Sequence, residues 1–229
     1  EAVNAAGGSP DVYLKVTGGT FTGSTGAVNS SYGISVNTAG ANTEAIFDVT
    51  GSVFSNNVIN ALAVNADGNN ANMSGKFNNN AVTGTLGQYG VFVTNNPVVI
   101  TDSSTVRVQM MNNTFNNAGV NVVLTGSSSG TSLMDVATMN NTFNGGTGGI
   151  RYVNNQSAGT VCAVISGNSV FAVTPPTGIT VRNALTGTFN VQGLVGPVDS
   201  YLSGVNTMGG NSVNSFGTFG AADCQSDTM

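Results

Sequence analysis

The sequence predicts an all-β fold of the solenoid type, in which short strands stack coil upon coil along one axis. Three observations predict it. A pattern of about thirty residues recurs six times, each copy alternates apolar with mixed positions, and the connections between the strands vary in length. Internal periods of roughly 20–50 residues are typical of repeat architectures. A stack of coils tolerates variable loops because each coil contacts only its neighbours.

The repeat is clearest in two nearly identical stretches, QMMNNTFNN from Gln109 and ATMNNTFNG from Ala137. Aligning their phenylalanines defines an anchor position that four other segments share. The six anchors are Phe21, Phe54, Val82, Phe115, Phe143 and Val170, spaced 27 to 33 residues apart. Six copies of this pattern predict about six coils.

Each copy carries a strand before its anchor. The positions nine, seven and five residues before the anchor are apolar in nearly every copy, and the positions between them are mixed. The position nine before the anchor holds Val12, Ala45, Met73, Val106, Met134 and Val161. A period of two indicates a strand with one face inward and the other outward.

A second strand follows each anchor, in the segments GISV, ALAV, GVFV, NVVL, GIRYV and GITV. Its inward position holds Ile34, Leu62, Val91, Val122, Ile150 and Ile179. Two or three short strands in about thirty residues suit one coil of a parallel β-helix. Equivalent strands would then stack about 4.8 Å apart, and like residues would form columns.

Asparagine recurs at one turn of the repeat. Four consecutive coils carry it two residues before the anchor, at Asn80, Asn113, Asn141 and Asn168. An asparagine there can hydrogen-bond the backbone of its own coil and of the next, and it tolerates the left-handed conformation of sharp turns. We therefore predict an asparagine ladder. The alternative is that asparagine is simply common in loops, and under either reading these residues are structural.

Composition narrows the function. Charged residues make up only 7% of the 229, the net charge is −5, and five Lys and Arg form no basic patch, which argues against nucleic acid as a partner. No apolar run approaches the roughly 20 residues of a membrane span. The chain begins at Glu1 rather than Met, which predicts a removed leader or a piece of a longer protein.

The two cysteines, Cys162 and Cys224, are too few for a zinc site in a chain without histidine. They are either two buried thiols or one disulfide. We favour the disulfide, which would close a loop of 62 residues and indicate an oxidising location.

The repeat resembles those of right-handed parallel β-helices of the pectate-lyase-like superfamily, and more closely those of large secreted or surface-displayed bacterial proteins. The segments VCAVISGNSV, GITVRNALTGTFNVQGLVG and VDSYLSGVNT, with the late Cys224, resemble the terminal coil and cap of such proteins. The resemblance implies right-handed winding, a bacterial extracellular or cell-surface location, and pairing of Cys162 with Cys224. It implies no single activity, because the superfamily holds enzymes, adhesins and structural proteins.

Three segments follow from this pattern: an N-terminal extension over residues 1–11, a β-helix over 12–193 and a C-terminal cap over 194–229. In the cap, Pro197 to Val205 predicts a short helix that packs Val198, Leu202 and Val205 inward. The extension has little apolar content and would cap poorly. The first coil is thus expected to offer an open edge to another subunit.

The outward positions suggest little chemistry. Lys15, Asp48 and Lys76 follow one another on successive coils, and Arg107 lies beside Asp135. These residues are either an acid/base site or a surface ladder of ion pairs, and we favour the ladder. The stretch GSSSG at 126–130 matches a nucleophile elbow in letters only, because it lacks a strand–helix setting and a histidine base. We predict no catalytic residue, cofactor or metal ligand.

Five sequons could carry glycans, at Asn29, Asn72, Asn112, Asn140 and Asn155. The alternative is coincidence in a chain rich in asparagine and threonine. Asn112 and Asn140 share one column and should face outward beside the ladder.

The leading hypothesis is a non-enzymatic extracellular structural protein that associates with copies of itself head to tail, as a filament or a surface layer. The second is an adhesin or glycan-binding module of a larger surface protein, with Tyr32, Tyr89 and Phe92 as exposed aromatics. The third is a polysaccharide lyase or hydrolase that depends on Asp135.

Overall fold

The computed structural model is an all-β parallel solenoid with one short helix near its C-terminus, as the repeat predicts. It describes residues 2–6, 11–23, 32–56, 60–84, 89–95, 103–116, 120–126, 131–155, 158–174 and 176–229. The strands are β1 (Ala2–Ala6), β2 (Asp11–Thr17), β3 (Thr20–Thr22), β4 (Ile34–Ala39), β5 (Glu44–Thr50), β6 (Val53–Ser55), β7 (Asn60–Asp67), β8 (Ala71–Asn78), β9 (Ala81–Thr83), β10 (Tyr89–Asn95), β11 (Ser104–Met111), β12 (Thr114–Asn116), β13 (Val120–Gly126), β14 (Leu133–Met139), β15 (Thr142–Asn144), β16 (Gly148–Asn154), β17 (Thr160–Ser166), β18 (Ser169–Phe171), β19 (Thr177–Asn183), β20 (Thr188–Val191) and β21 (Ser212–Phe216). Helix α1 spans Val198–Val205, and a turn of 3₁₀ helix spans Ser226–Thr228.

The strands form three parallel sheets, the walls of the solenoid. Sheet A has the order β1-β4-β7-β10-β13-β16-β19-β21, sheet B the order β2-β5-β8-β11-β14-β17-β20, and sheet C the order β3-β6-β9-β12-β15-β18. Each strand pairs with the equivalent strand one coil further along the chain. One coil therefore contributes a long strand to sheet B, a three-residue strand to sheet C and a long strand to sheet A.

The predicted inward columns are the columns of the observed register. In sheet B, Val106 pairs with Met73 on one side and with Met134 on the other. In sheet C, Phe115 pairs with Val82 and Phe143. The rings of Phe115 and Phe143 stack with their centroids 4.9 Å apart, and both side chains are fully buried. Burying such a side chain contributes roughly 1.5–3 kcal/mol, so repetition of apolar residues builds one continuous core.

The turn between sheets B and C is made by the residue three before the anchor. This column holds Gly18, Gly51, Asn79, Asn112, Asn140 and Gly167, all with φ between 54° and 67°. Only glycine and asparagine adopt this conformation readily. The sequence analysis assigned the left-handed conformation to the ladder asparagines one position later, which is wrong. The residue at the turn bends the chain from sheet B into sheet C, and the next residue directs its side chain inward.

At the N-terminal end of the solenoid, the described residues of the first coil are less well covered than those of the next. Residues 2–6, which the sequence analysis left in an extension, form β1 and pair with β4, so sheet A begins earlier than predicted. The alternation in AVNAA is too weak to show this strand. On the first coil Val12, Val16 and Phe21 are only partly buried. Their equivalents on the next coil are fully buried, at Ala45, Val49 and Phe54. In the described part of the chain, no strand covers the outer edges of β2 and β3.

The C-terminal end is closed. The predicted short helix is present but starts at Val198, one residue later than predicted. It buries Val198 and Leu202 over the end of the core, while Val205, predicted to pack inward, is half-buried. Isolated bridges continue the walls beyond their last strands, between Ser169 and Thr207 in sheet C and between Asn190 and Gly220 in sheet B. Residues 221–229, the strap, then cross the outer face of sheet B. Among the described residues there is no helix long and apolar enough to cross a membrane.

Candidate functional site

The four asparagines of the predicted ladder lie in one file and are linked by hydrogen bonds. The backbone N–H of Asn80 donates to Asn113 Oδ1 at 2.9 Å, that of Asn113 to Asn141 Oδ1 at 2.8 Å, and that of Asn141 to Asn168 Oδ1 at 3.0 Å. Each Nδ2 also donates to a carbonyl, for example Asn113 Nδ2 to Phe77 O at 2.7 Å. All four side chains are buried. The ladder therefore satisfies the polar groups of each turn inside the wall.

The ladder is longer than the sequence analysis predicted. At its start the amide of Ser52 donates to Asn80 Oδ1 at 2.9 Å. At its end the amide of Asn168 donates to Asn206 Oδ1 at 2.9 Å, and Asn206 directly follows helix α1. The dipeptide Asn206-Thr207 repeats Asn113-Thr114. This match could have revealed the extra member, which ties the cap to the last coil.

A second row of buried asparagines lies at the ends of the sheet A strands β10, β16 and β19. Asn95, Asn154 and Asn183 each stand four residues after the inward residue of a sheet A strand. Asn154 Nδ2 donates to Asn183 Oδ1 at 3.2 Å, and Asn183 Nδ2 donates to Thr218 O at 3.0 Å. The sequence analysis missed this row, because loops of different length follow it. Its fixed offset from the inward column was the available signal.

The strap is held to sheet B by a disulfide. Cys162 and Cys224 are bonded, with their Cα atoms 5.6 Å apart. Around them Ala137 and Val164 of the outer face of sheet B form a small second core. The disulfide thus fastens the C-terminal end of the chain onto the wall of the fifth and sixth coils.

Asp135 lies beneath the strap. Its Oδ2 accepts the Gln225 amide at 2.9 Å, and its Oδ1 accepts the Ser226 amide at 3.3 Å. Arg107 Nε stands 3.8 Å from Oδ2. Asp135 is only 3% exposed, so this is not the surface ion pair that the sequence analysis favoured. The residues are neighbours in register as predicted, but the strap covers the acid.

Two glutamines complete the attachment. Gln109 Nε2 donates to Ser226 O at 3.3 Å and to Asp227 O at 3.2 Å. Gln192 accepts the Cys224 amide at 2.8 Å and donates to Asp227 Oδ2 at 2.6 Å. Side chains of sheet B and of the segment after β20 therefore pair with both donors and acceptors of the strap.

This cluster offers little chemistry while the disulfide is formed. Asp135 Oδ, Cys162 Sγ and Cys224 Sγ lie within 4.8 Å of one another, but the two sulfurs are bonded and no thiolate is free for a metal. A polymeric substrate would have to displace the strap to reach Asp135. On the same face, Asp48 is in register with Lys15 and Lys76, and its Oδ1 accepts the Thr50 hydroxyl at 2.8 Å.

The core contains a perturbed titratable group, Tyr152. The hydroxyls of Tyr152 and Thr138 share a hydrogen bond of 2.6 Å inside the solenoid. Burial raises the pKa of Tyr152 far above its usual value, and the nearby charge of Asp135 adds to the rise, against the lowering effect of the Thr138 hydrogen bond. Tyr152 therefore stays neutral at physiological pH and serves the packing.

The predicted surface residues are placed as follows. Asn72, Asn112 and Asn140 are exposed, and Asn155 is half-buried. The sequon at Asn29 and residues 127–130 of the GSSSG stretch lie outside the described residues. Tyr32 is exposed, but Tyr89 and Phe92 stack at 5.2 Å and half-bury each other. They are therefore a weaker platform for a sugar than the sequence analysis expected.

A shallow depression of about 540 Å³ lies on the outer face of sheet A near the cap. Arg151 and Arg182 project from adjacent strands, and Arg182 Cζ lies 5.5 Å from the centre of the Phe216 ring. Of the described residues that line it, none is acidic. The sequence analysis did not predict this site, because Phe216 lies beyond the six repeats.

Comparison with known proteins gives no match: no family model, no curated protein and no solved structure is significantly similar to this chain.

Proposed function

We propose that this chain is a non-enzymatic, extracellular structural protein that associates with copies of itself through its N-terminal coil. The observation that carries the proposal is the contrast between the two ends of the solenoid. The first coil leaves Val12, Val16 and Phe21 partly exposed, whereas Leu202 of the cap is fully buried. An uncovered strand edge beside apolar side chains favours pairing with another chain.

The second copy is the proposed occupant of this end, in head-to-tail order. The cap offers apolar side chains for such a contact, since Val195 is 80% exposed next to helix α1. A heterologous contact of this kind leaves one end free at every step, so it runs on as a filament or layer unless it closes into a ring.

The extracellular part of the proposal rests on the strap. A disulfide that fastens the chain end indicates an oxidising compartment. The repeat and the cap support the finer proposal of a right-handed member of the pectate-lyase-like superfamily from a bacterial surface. Right-handed winding is also the hand of about 98% of parallel crossovers.

The test compares the assembly of three variants with that of the wild type by sedimentation and negative-stain microscopy. Val12→Lys places a charge on the first coil and is expected to disperse the assemblies. Thr83→Lys, on the exposed face of sheet C in mid-rod, is the matched control and should leave them intact. Circular dichroism checks that each variant is folded.

The head-to-tail arrangement is tested by the variant Ser203→Lys, which changes the exposed side of helix α1. A head-to-tail contact predicts that this change also disperses the assemblies. Assemblies that survive Ser203→Lys but not Val12→Lys would show a two-fold contact between N-terminal coils. Wild-type protein that stays monomeric at high concentration would refute self-association.

A further inference from the structure

The last strand of sheet A has a free edge, and the register irregularity in its pairing, between Thr177 and Ile179, lies in β19 rather than in β21. β21 pairs with β19 on one side, and in the described part of the chain no strand pairs with its other side. Exposed edges are commonly protected by charges, proline, bulges or a covering segment. β21 reads SVNSF, with neither charge nor proline, and its outward residues Ser212, Asn214 and Phe216 are exposed. A strand of another chain can add to such an edge through main-chain hydrogen bonds.

The alternation of β21 identifies the donors that are free for such a strand. The Ser212 amide points toward the neighbouring strand, because it donates to Pro176 O at 2.7 Å. Successive amides of a strand point to opposite sides, so the amides of Val213 and Ser215 point to the free edge. These two N–H groups would pair with the carbonyls of an incoming strand.

The outer face beside this edge is positively charged. Arg182 is in register with Phe216, and Arg151 lies diagonally from Arg182 on the preceding strand β16. These are two of the five cations of a chain with ten carboxylates. Because none of the described lining residues is acidic, both guanidinium groups are available to carboxylates of a ligand.

Phe216 adds an apolar contact. Its side chain is 63% exposed, and Arg182 lies over its ring. Stacking on the ring holds the guanidinium near the free edge, so the charge and the edge form one surface. A strand that pairs with β21 would lie directly beside Phe216, with Arg182 on β19 one strand further away and Arg151 on β16 two strands further away.

We propose that the edge of β21, with Arg151, Arg182 and Phe216, binds an extended acidic segment of another protein. The free amides call for a strand, and the positive charge of Arg182 and Arg151 on the adjoining strands calls for carboxylates on it. Two arginines are too few for nucleic acid. The N-terminal stretch of a second copy is a poor occupant, since EAVNAAGGSP holds one carboxylate. This goes beyond the proposed self-association, and in a head-to-tail filament it assigns recognition to the terminal subunit.

Binding is measured by fluorescence anisotropy with a labelled ten-residue peptide that alternates glutamate and threonine. A lysine–threonine peptide tests charge, and the glutamate–threonine peptide with every backbone nitrogen methylated, which cannot donate along the strand, tests backbone pairing. We expect only the unmethylated glutamate–threonine peptide to bind. Using the dispersed Val12→Lys variant as well as wild type separates this result from self-association, because the peptide should bind Val12→Lys whether or not the wild type assembles.

Two variants test the two halves of the surface. Arg182→Glu should weaken binding roughly tenfold or more, the effect of one lost charge-assisted hydrogen bond. Ser215→Pro removes one edge donor and should weaken binding similarly, while proline is tolerated where its nitrogen faces solvent. Lys76→Glu on sheet B carries the same charge change as Arg182→Glu and should alter the affinity less than about twofold, because surface charges farther than a Debye length are screened.

Competition with sulfated dextran tests the alternative that the surface binds any anion without pairing of strands. If it displaces the peptide and Ser215→Pro binds as well as wild type, the surface is a simple anion patch and the proposal is overturned. Absence of peptide binding to folded Val12→Lys protein, or equal binding of the N-methylated peptide, overturns it too.

Discussion

The backbone N–H of Asn113 donates to the side-chain oxygen of Asn141, one coil further along the solenoid, at 2.8 Å. The same oxygen accepts Asn113 Nδ2 at 2.9 Å, so one carboxamide holds both groups of the preceding turn. Because every rung points the same way, each asparagine supports the coil before it. Replacing one ladder asparagine therefore leaves N–H groups of the asparagine in the preceding coil without their acceptor.

Asn113→Ala is expected to destabilise the protein by about 3 kcal/mol. The change removes the side-chain acceptor of the buried Asn80 amide and the side-chain donor to the Phe77 carbonyl, and a buried polar group that loses its partner costs roughly 1–3 kcal/mol. For a protein of about this size the loss corresponds to a fall in Tm of roughly 6–12 °C. Calorimetry and urea unfolding measure it.

Asn144→Ala is the matched control for that experiment. Asn144 lies three residues after Asn141 on the exposed face of sheet C, where its Nδ2 donates to Asn116 Oδ1 at 3.0 Å. Its removal should cost no more than about 0.5 kcal/mol, as for other surface substitutions. An equal loss in the free energy of unfolding of Asn113→Ala and Asn144→Ala would show that the buried ladder stabilises the protein no more than a surface hydrogen bond does.

Asp135→Asn is expected to loosen the strap and leave the solenoid folded. The carboxylate accepts amides with both oxygens, and a carboxamide keeps only one acceptor. Losing one charge-assisted bond costs roughly 1.5–3 kcal/mol. Hydrogen exchange at Gln225 and Ser226 should accelerate by roughly tenfold to a hundredfold, because local opening sets its rate.

Asp48→Asn serves as the control, since Asp48 occupies the same sheet three coils from Asp135 and touches Thr50 rather than the strap. It should leave exchange at Gln225 unchanged. Exchange at Gln225 that is equally slow in Asp135→Asn would mean that the disulfide and the two glutamines fix the strap without the carboxylate.

Loss of the disulfide is expected to release the chain end. The chain-entropy estimate for a loop of 62 residues is about 4 kcal/mol. The double variant Cys162→Ala/Cys224→Ala should unfold at lower urea and lose residues from Met229 inward to carboxypeptidase. A dithiol reductant should reproduce this in wild type and have no effect on the double variant. Identical digestion of the oxidised protein and the double variant would contradict the prediction.

The sequence predicted the fold well because the core repeats. Phe115 and Phe143 occupy the same column in both sequence and structure, since a slip in register would turn apolar residues outward. β1 escaped prediction because its alanines alternate weakly, and tertiary pairing with β4 decides its state.

The strap escaped prediction for a different reason: it occurs once. Outward positions of sheet B are polar on the early coils, as at Lys15 and Lys76, but become Ala137 and Val164 on the later ones. That change was the signal that something covers the wall there. Period-two alternation cannot say what lies on the outer face, so Asp135 was taken for a surface residue.

Tyr152 should make stability fall at alkaline pH. In the unfolded chain a tyrosine loses its proton near pH 10, whereas burial raises the pKa of Tyr152 in the folded protein. Above about pH 10 the unfolded state therefore binds fewer protons than the folded state. The free energy of unfolding then decreases by up to about 1.4 kcal/mol per pH unit. Below pH 10 the contribution is fully present, so no change is expected between pH 7 and 9.

The variant Tyr152→Phe tests whether Tyr152 causes the loss of stability at alkaline pH, with urea unfolding measured from pH 7 to 11. The variant should lose roughly 1–3 kcal/mol at pH 7, because the buried Thr138 hydroxyl loses its partner. Its stability should then fall less steeply than that of wild type above pH 10, so that the two curves converge. Tyr13→Phe, the same substitution at an exposed tyrosine, is the control variant. Parallel curves for wild type and Tyr152→Phe would show that another group causes the alkaline loss.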